Sequence, residues 1–224
     1  LENNLDSSRP FSTPPVPEGL DWNLWLGPAA HRPYHPAYTH AVFRGWYDFG
    51  TGALGDMGHY SFYQIFTMLK LGSPRSVEAA RSQYWKIENC GWQKQTNRLS
   101  YPQASLIRWE FPARGEMPPV SLHWYDGGLR PPLLTELEAD GEGMPEEGLL
   151  LVGDGGKILG GFFGEEPAGA SFDKAYPFAE TILLGTIALR VNKKLRWDAA
   201  KIEFINSAEA NQLRFRKNRE GWEV

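Results

Sequence analysis

The chain has 224 residues, 42% hydrophobic and 22% charged, with 27 acidic against 23 basic side chains for a formal net charge of −4. That length can bury a sizeable core, and the charge balance lacks the clustered Lys and Arg of a nucleic-acid footprint. No apolar run approaches the roughly 20 residues needed to cross a bilayer, and a lone cysteine, Cys90, excludes an internal disulfide.

Cys90 reads as a small packed side chain. The chain opens Leu1-Glu2-Asn3 with neither an initiator Met nor a charged-then-apolar leader, which reads as a processed or truncated polypeptide. Residues 1–45 are Pro-rich; Pro10, Pro14, Pro15, Pro17, Pro28, Pro33 and Pro36 remove N–H donors, so extended structure and not helix is expected. Leu20, Trp22, Trp25 and Leu26 supply an anchoring surface, making this an arm packed on a body of residues 46–224. Residues 56–71 read as a buried helix opened by Asp56 and stopped by Gly72 and Pro74.

Strands follow at 77–87, 104–111 and 120–125, rich in aromatic and β-branched residues. Residues 148–163 look like a hairpin turning at Asp154-Gly155-Gly156. A helix is expected over 176–191, a short extended piece over 195–197, and a last helix over 207–217 from the capping-box spacing of Asn206 and Glu209. Strands in a run with helices toward the ends predict an α+β fold with an antiparallel-biased sheet.

Gly50-Thr51-Gly52-Ala53-Leu54-Gly55 has the spacing of a dinucleotide-binding loop. Its context argues otherwise: Arg44 to Phe49 is no buried parallel strand, and no acidic residue closes a strand about 20 residues on. The glycines are expected to let the backbone turn tightly into the helix. Asp56, His59 and Tyr60 form the main constellation, three and four residues apart on a helix. A carboxylate can orient an imidazole or phenol, and either can exchange a proton with a bound hydroxyl. The bland alternative is a helix cap beside packed polar tips. His31, His35 and His40 lie among prolines without companion carboxylates or cysteines, so no metal site is expected.

With these stretches in view, the chain resembles the C-terminal portion of the Gfo/Idh/MocA (glucose–fructose oxidoreductase, inositol dehydrogenase, rhizopine catabolism) family. The resemblance rests on residues 19–28 (Gly-Leu-Asp-Trp-Asn-Leu-Trp-Leu-Gly-Pro), on 45–58, on Trp124-Tyr125-Asp126-Gly127-Gly128, on 178–185 and on Glu209-Ala210-Asn211 with Gly221-Trp222. It implies a large, mostly antiparallel sheet with helices packed on one face, whose open face builds a homo-oligomer. It implies a bacterial protein, cytoplasmic or periplasmic, that oxidises or reduces a small sugar or polyol with NAD or NADP. The nucleotide would be bound mainly by a Rossmann domain missing from this chain, and no metal, nucleic acid or membrane is implied.

Asp56 falls on the family's site aspartate, which implies a catalytic role for Asp56 with His59 or Tyr60, and a substrate-binding role for Arg44 and Trp46. The pattern departs in three ways. No Glu-Lys-Pro proton-transfer motif is present. Tyr60 stands where the family has histidine, with His59 one residue early and about 100° away around a helix. A stretch usual in the family is short or missing between 164 and 171. The implied function is the substrate-binding and oligomerisation domain of an NAD(P)-dependent sugar or polyol oxidoreductase, inactive alone. The alternatives are an NAD-assisted glycosidase of the same family and a non-catalytic sugar-binding or assembly module.

Overall fold

The computed structural model describes residues 13–160 and 172–223. The strands in chain order are β1 (Ser76–Arg81), β2 (Tyr84–Glu88), β3 (Gly91–Gln95), β4 (Ser105–Phe111), β5 (Val120–Tyr125), β6 (Leu149–Gly153), β7 (Gly156–Gly160), β8 (Leu195–Asp198) and β9 (Glu203–Phe204). The α-helices are α1 (Trp22–Leu26), α2 (Gly52–Leu69), α3 (Thr135–Ala139), α4 (Phe172–Val191) and α5 (Ala208–Gln212). The main sheet runs β5-β4-β1-β8-β9 and every pairing in it is antiparallel, while β2-β3 and β6-β7 are separate hairpins. This is the expected α+β class.

Alternation decides which face is covered. Along β4, Ser105, Ile107, Trp109 and Phe111 are buried while Arg108 is exposed. Helices α2 and α4 lie over the buried face. Phe62 meets Trp109 edge-on at 5.5 Å, Phe66 meets Phe111 at 5.6 Å, and Ile182, Leu184, Ile187 and Leu189 join the same cluster. The opposite face is polar: Arg108 pairs with Glu110 at 2.5 Å, and the Ser121 hydroxyl donates to Glu110 at 2.9 Å.

Gly185 explains the apolar run in α4. A Cβ there would lie 2.5 Å from Cζ2 of Trp109 and 2.8 Å from Cδ2 of Leu54. Its absence lets the indole slide under the helix and donate to the Thr181 carbonyl at 3.0 Å. The buried N–H is satisfied where the packing is tightest.

Several local expectations are corrected. The strand expected over 77–87 breaks after Arg81, and its second part pairs with an unforeseen partner, β3. Asn89 and Cys90, both left-handed (φ 51° and 60°), form a two-residue turn whose twist suits a hairpin. Cys90 is therefore an exposed turn residue and not a packed one. The last helix stops at Gln212, and its cap is Ser207, whose hydroxyl accepts the Ala210 N–H at 3.2 Å. Asn206 is held by β8 instead, accepting from the Arg196 N–H at 2.8 Å and donating to the Lys194 carbonyl at 3.0 Å. The expected short extended piece is β8, joined by the unforeseen β9. Hairpin β6-β7 forms as expected, whereas its expected last residues and the short connection over 164–171 lie outside the described residues.

The arm is also not extended throughout. Asp21 accepts the Leu24 N–H at 3.0 Å and starts the short helix α1, and 3-10 turns follow at Pro36–Tyr38 and His40–Gly45. Proline at the start of a turn costs no hydrogen bond, because those N–H groups have no helical partner.

Candidate functional site

An aromatic cluster drawn from residues 20–49 sets up the site. Trp22, Leu26, Tyr38 and Trp46 are buried together, with Leu20, Trp25, Tyr34 and Phe49 packed around them. The Trp22 indole N–H donates to the Arg32 carbonyl and that of Trp46 to the Ala37 carbonyl, each at 2.7 Å. Arg32 is 4% exposed; it pairs with Asp48 and holds its guanidinium 4.8 Å from the Phe49 ring centre. Such contacts favour a cation over an aromatic face once water is excluded. The C-terminal tail straps the module: the Arg219 N–H donates to the Pro28 carbonyl at 3.0 Å, and its guanidinium donates to the Gly27 carbonyl at 2.8 Å.

The glycine-rich turn is consumed by packing. A Cβ at Gly50 would lie 2.6 Å from the Arg44 carbonyl oxygen, and one at Gly52 (φ 70°) would lie 2.7 Å from Cγ of Tyr101. The Gly50 N–H donates to Trp46 at 2.9 Å and the Gly55 N–H to Thr51 at 3.2 Å, so these groups are not turned toward a phosphate. Helix α2 therefore starts at Gly52, ahead of the expected Asp56. Burial of Leu54, Gly58, Phe62 and Ile65 along one stripe overrides the low helix propensity of glycine.

This start moves Asp56 out of the first turn. Its carboxylate pairs with Arg44, both side chains being about two-fifths exposed (38% and 42%). His59 is exposed, with Nδ1 3.3 Å from the Gly55 carbonyl, and its ring lies 3.9 Å from that of Tyr60. Tyr60 is 65% exposed. The carboxylate, imidazole and phenol thus share one exposed stretch of α2.

Beside them lies a groove of about 1210 Å³ between the arm turns, the start of α2, the β2-β3 hairpin and the segment around Tyr101. Arg44 and Trp46 line it, whereas Asp56, His59 and Tyr60 do not. Arg81, Lys94 and Tyr101, which sequence reasoning missed, line it as well. Tyr47 and Tyr101 meet edge-on at 4.6 Å; Arg81 donates to the Tyr47 hydroxyl at 3.3 Å, and Arg190 lies 4.6 Å from the Tyr47 ring centre. Burial raises the Tyr47 phenol above its usual value against the pull of Arg81 and Arg190. Burial likewise pushes Tyr101 up to about 12, opposed by Arg190 and a hydrogen bond with Thr186. Both phenols stay protonated near neutrality, so neither serves as a base there. Nothing in the local sequence around residues 81, 94 and 101 announced this convergence, because the three come from separate segments.

Among the described residues no group of three or more His, Cys, Asp or Glu is placed to hold a metal ion, and no helix is long and apolar enough to cross a membrane. The antiparallel sheet, the two helices on one face and the polar groove beside α2 define an α+β domain. Comparison with known families agrees. Residues 7–103 match the Gfo/Idh/MocA model described as the oxidoreductase family's C-terminal alpha/beta domain. The match takes in the arm, α2 and β1 to β3. No curated protein matched the chain.

Proposed function

We propose that these residues form the sugar- or polyol-binding part of an NAD(P)-dependent oxidoreductase and serve its oligomerisation. The observation that carries the reading is the Asp56–Arg44 pair at the start of α2, beside a polar groove and inside the family-matching stretch. In it Asp56 orients a substrate hydroxyl and His59 or Tyr60 donates a hydrogen bond, while Arg44 and Trp46 shape the surface. Exposure of His59 and Tyr60 leaves both free to meet a nucleotide-carrying domain. The nucleotide, when bound, supplies the hydride acceptor. The occupied N–H groups of Gly50 and Gly55 argue that it is held mainly by residues beyond these. The division into an arm (1–45) and a body (46–224) belongs to this proposal, as does a homo-oligomer built through the open sheet face.

Calorimetric titration of the 224-residue chain with NAD and NADP is the direct test; millimolar or weaker binding is expected. Micromolar affinity would place the nucleotide site on this chain and end the reading. A non-catalytic sugar-binding module is the second reading, favoured because His59 and Tyr60 stand outside the groove. Asp56→Asn and Tyr60→Phe in a polypeptide carrying the nucleotide-binding domain separate the two. Lost turnover supports catalysis, and unchanged turnover supports the structural role. Release of phenol from aryl glycosides without net NAD consumption would instead identify the NAD-assisted glycosidase.

A further inference from the structure

The charge lining the groove is one-sided. None of its lining residues is Asp or Glu, although the chain carries 27 acidic side chains. Its cations are Arg44, Arg81 and Lys94. Arg44 is met by Asp56, but neither Arg81 nor Lys94 has a carboxylate partner among the described residues, and Arg190 stands beside Tyr47, the phenol that Arg81 contacts. The carboxylate next to the lining residue Gly127, that of Asp126, is already engaged. It accepts from the Ser105 N–H at 2.5 Å, the Ser105 hydroxyl at 2.8 Å and the Trp124 indole at 2.8 Å. A concave surface with unpaired charges of one sign concentrates field and attracts the opposite charge.

The rest of the lining suits hydroxyl groups. Gln83, Thr96, Gln103 and Asn192 make no side-chain hydrogen bond among the described residues, and Tyr84 and Tyr101 offer aromatic rings between them. Amides and hydroxyls of this kind both donate and accept, as sugar hydroxyls require. The volume of about 1210 Å³ accommodates a sugar ring with its acidic group and bridging water.

We infer that the groove binds an anionic sugar, a polyhydroxylated small molecule carrying a carboxylate or phosphate, with Arg81 and Lys94 as the residues that meet its charge. This rests on the sugar-binding reading above and narrows it from neutral polyols to acidic ones. The test is calorimetric titration of the 224-residue chain with glucuronate, glucose 6-phosphate and glucose, at low and high salt. At least one charged sugar is expected to bind roughly tenfold or more tightly than glucose, since a charge-assisted hydrogen bond is about twice as strong as a neutral one. Raising the salt is expected to erode that preference, and comparison of the two charged probes assigns carboxylate or phosphate. Arg81→Gln and Lys94→Gln are each expected to weaken the charged sugar roughly tenfold and leave glucose unaffected. Lys94 is exposed on the β2-β3 hairpin, so its variant folds even if loss of the Arg81–Tyr47 contact disturbs the other. Equal binding of glucose and both charged sugars, or folded variants with unchanged affinity, would overturn the inference while leaving a sugar-binding groove. Failure of all three probes would strike the sugar-binding reading itself.

Discussion

The large core and the aromatic cluster of residues 20–49 both bury tryptophan and leucine, yet they close in different ways. In the core, Val77, Ile107, Trp109, Phe111 and Leu195 are wholly buried between a sheet and two helices drawn from distant parts of the chain. In the aromatic cluster, Trp22, Leu26, Tyr38 and Trp46 gather over a short sequence span, and both indole N–H groups end on carbonyls of the same segment. Proline denies the arm the continuous backbone ladders that hold the core together. Side-chain hydrogen bonds, ring packing and the Arg32 cation do the equivalent job. The core therefore fixes the frame, whereas the aromatic cluster fixes the wall that carries Arg44 and Trp46 into the groove.

The contrast breaks most readily at Trp109. Trp109→Ala removes a wholly buried indole and its bond to Thr181, and a loss of about 3–5 kcal/mol is expected in urea denaturation. A loss below about 1 kcal/mol would mean that the sheet and helices are not one packed unit.

Next in size is an alkaline effect at the boundary of the two regions. Burial in the folded chain pushes the Tyr101 phenol up to about 12, above its ordinary value of about 10. Its contribution is thus complete below about pH 10 and lost as the pH rises through about 12, on the order of 3 kcal/mol. Tyr101→Phe should flatten that part of the stability-against-pH curve; an unchanged slope would assign it elsewhere.

Trp22→Phe keeps a ring but drops the N–H to Arg32, and about 1 kcal/mol is expected. Amide hydrogen exchange should quicken over residues 20–49 and stay unchanged in β1 and β4. Equal quickening in both would merge the two clusters into one cooperative unit. Smallest is Asp56→Asn. Its pair with Arg44 is about two-fifths exposed (38% and 42%), so less than about 1 kcal/mol of stability is at stake. A thermal shift larger than that of Trp22→Phe would make the pair a structural strut.

Periodicity and punctuation were enough to read the α+β class, the β4 and β5 spans and the β6-β7 hairpin. The same pattern suggested Asp56, His59 and Tyr60 as neighbours on one helix, and they are. Where the helix begins was decided elsewhere. Glycine propensity argues against starting at Gly52, but the fit of Leu54 and Gly58 against α4 outweighs it. The break between β1 and β2 depends on a turn at Asn89-Cys90 that pairs β2 with β3 and not with the main sheet. The groove was least legible, because Arg44, Arg81, Lys94 and Tyr101 come from separate elements. A local pattern records which face of a segment is apolar; only the packed chain brings distant charges around one hollow, since burial acts on summed surface and carries no sequence address.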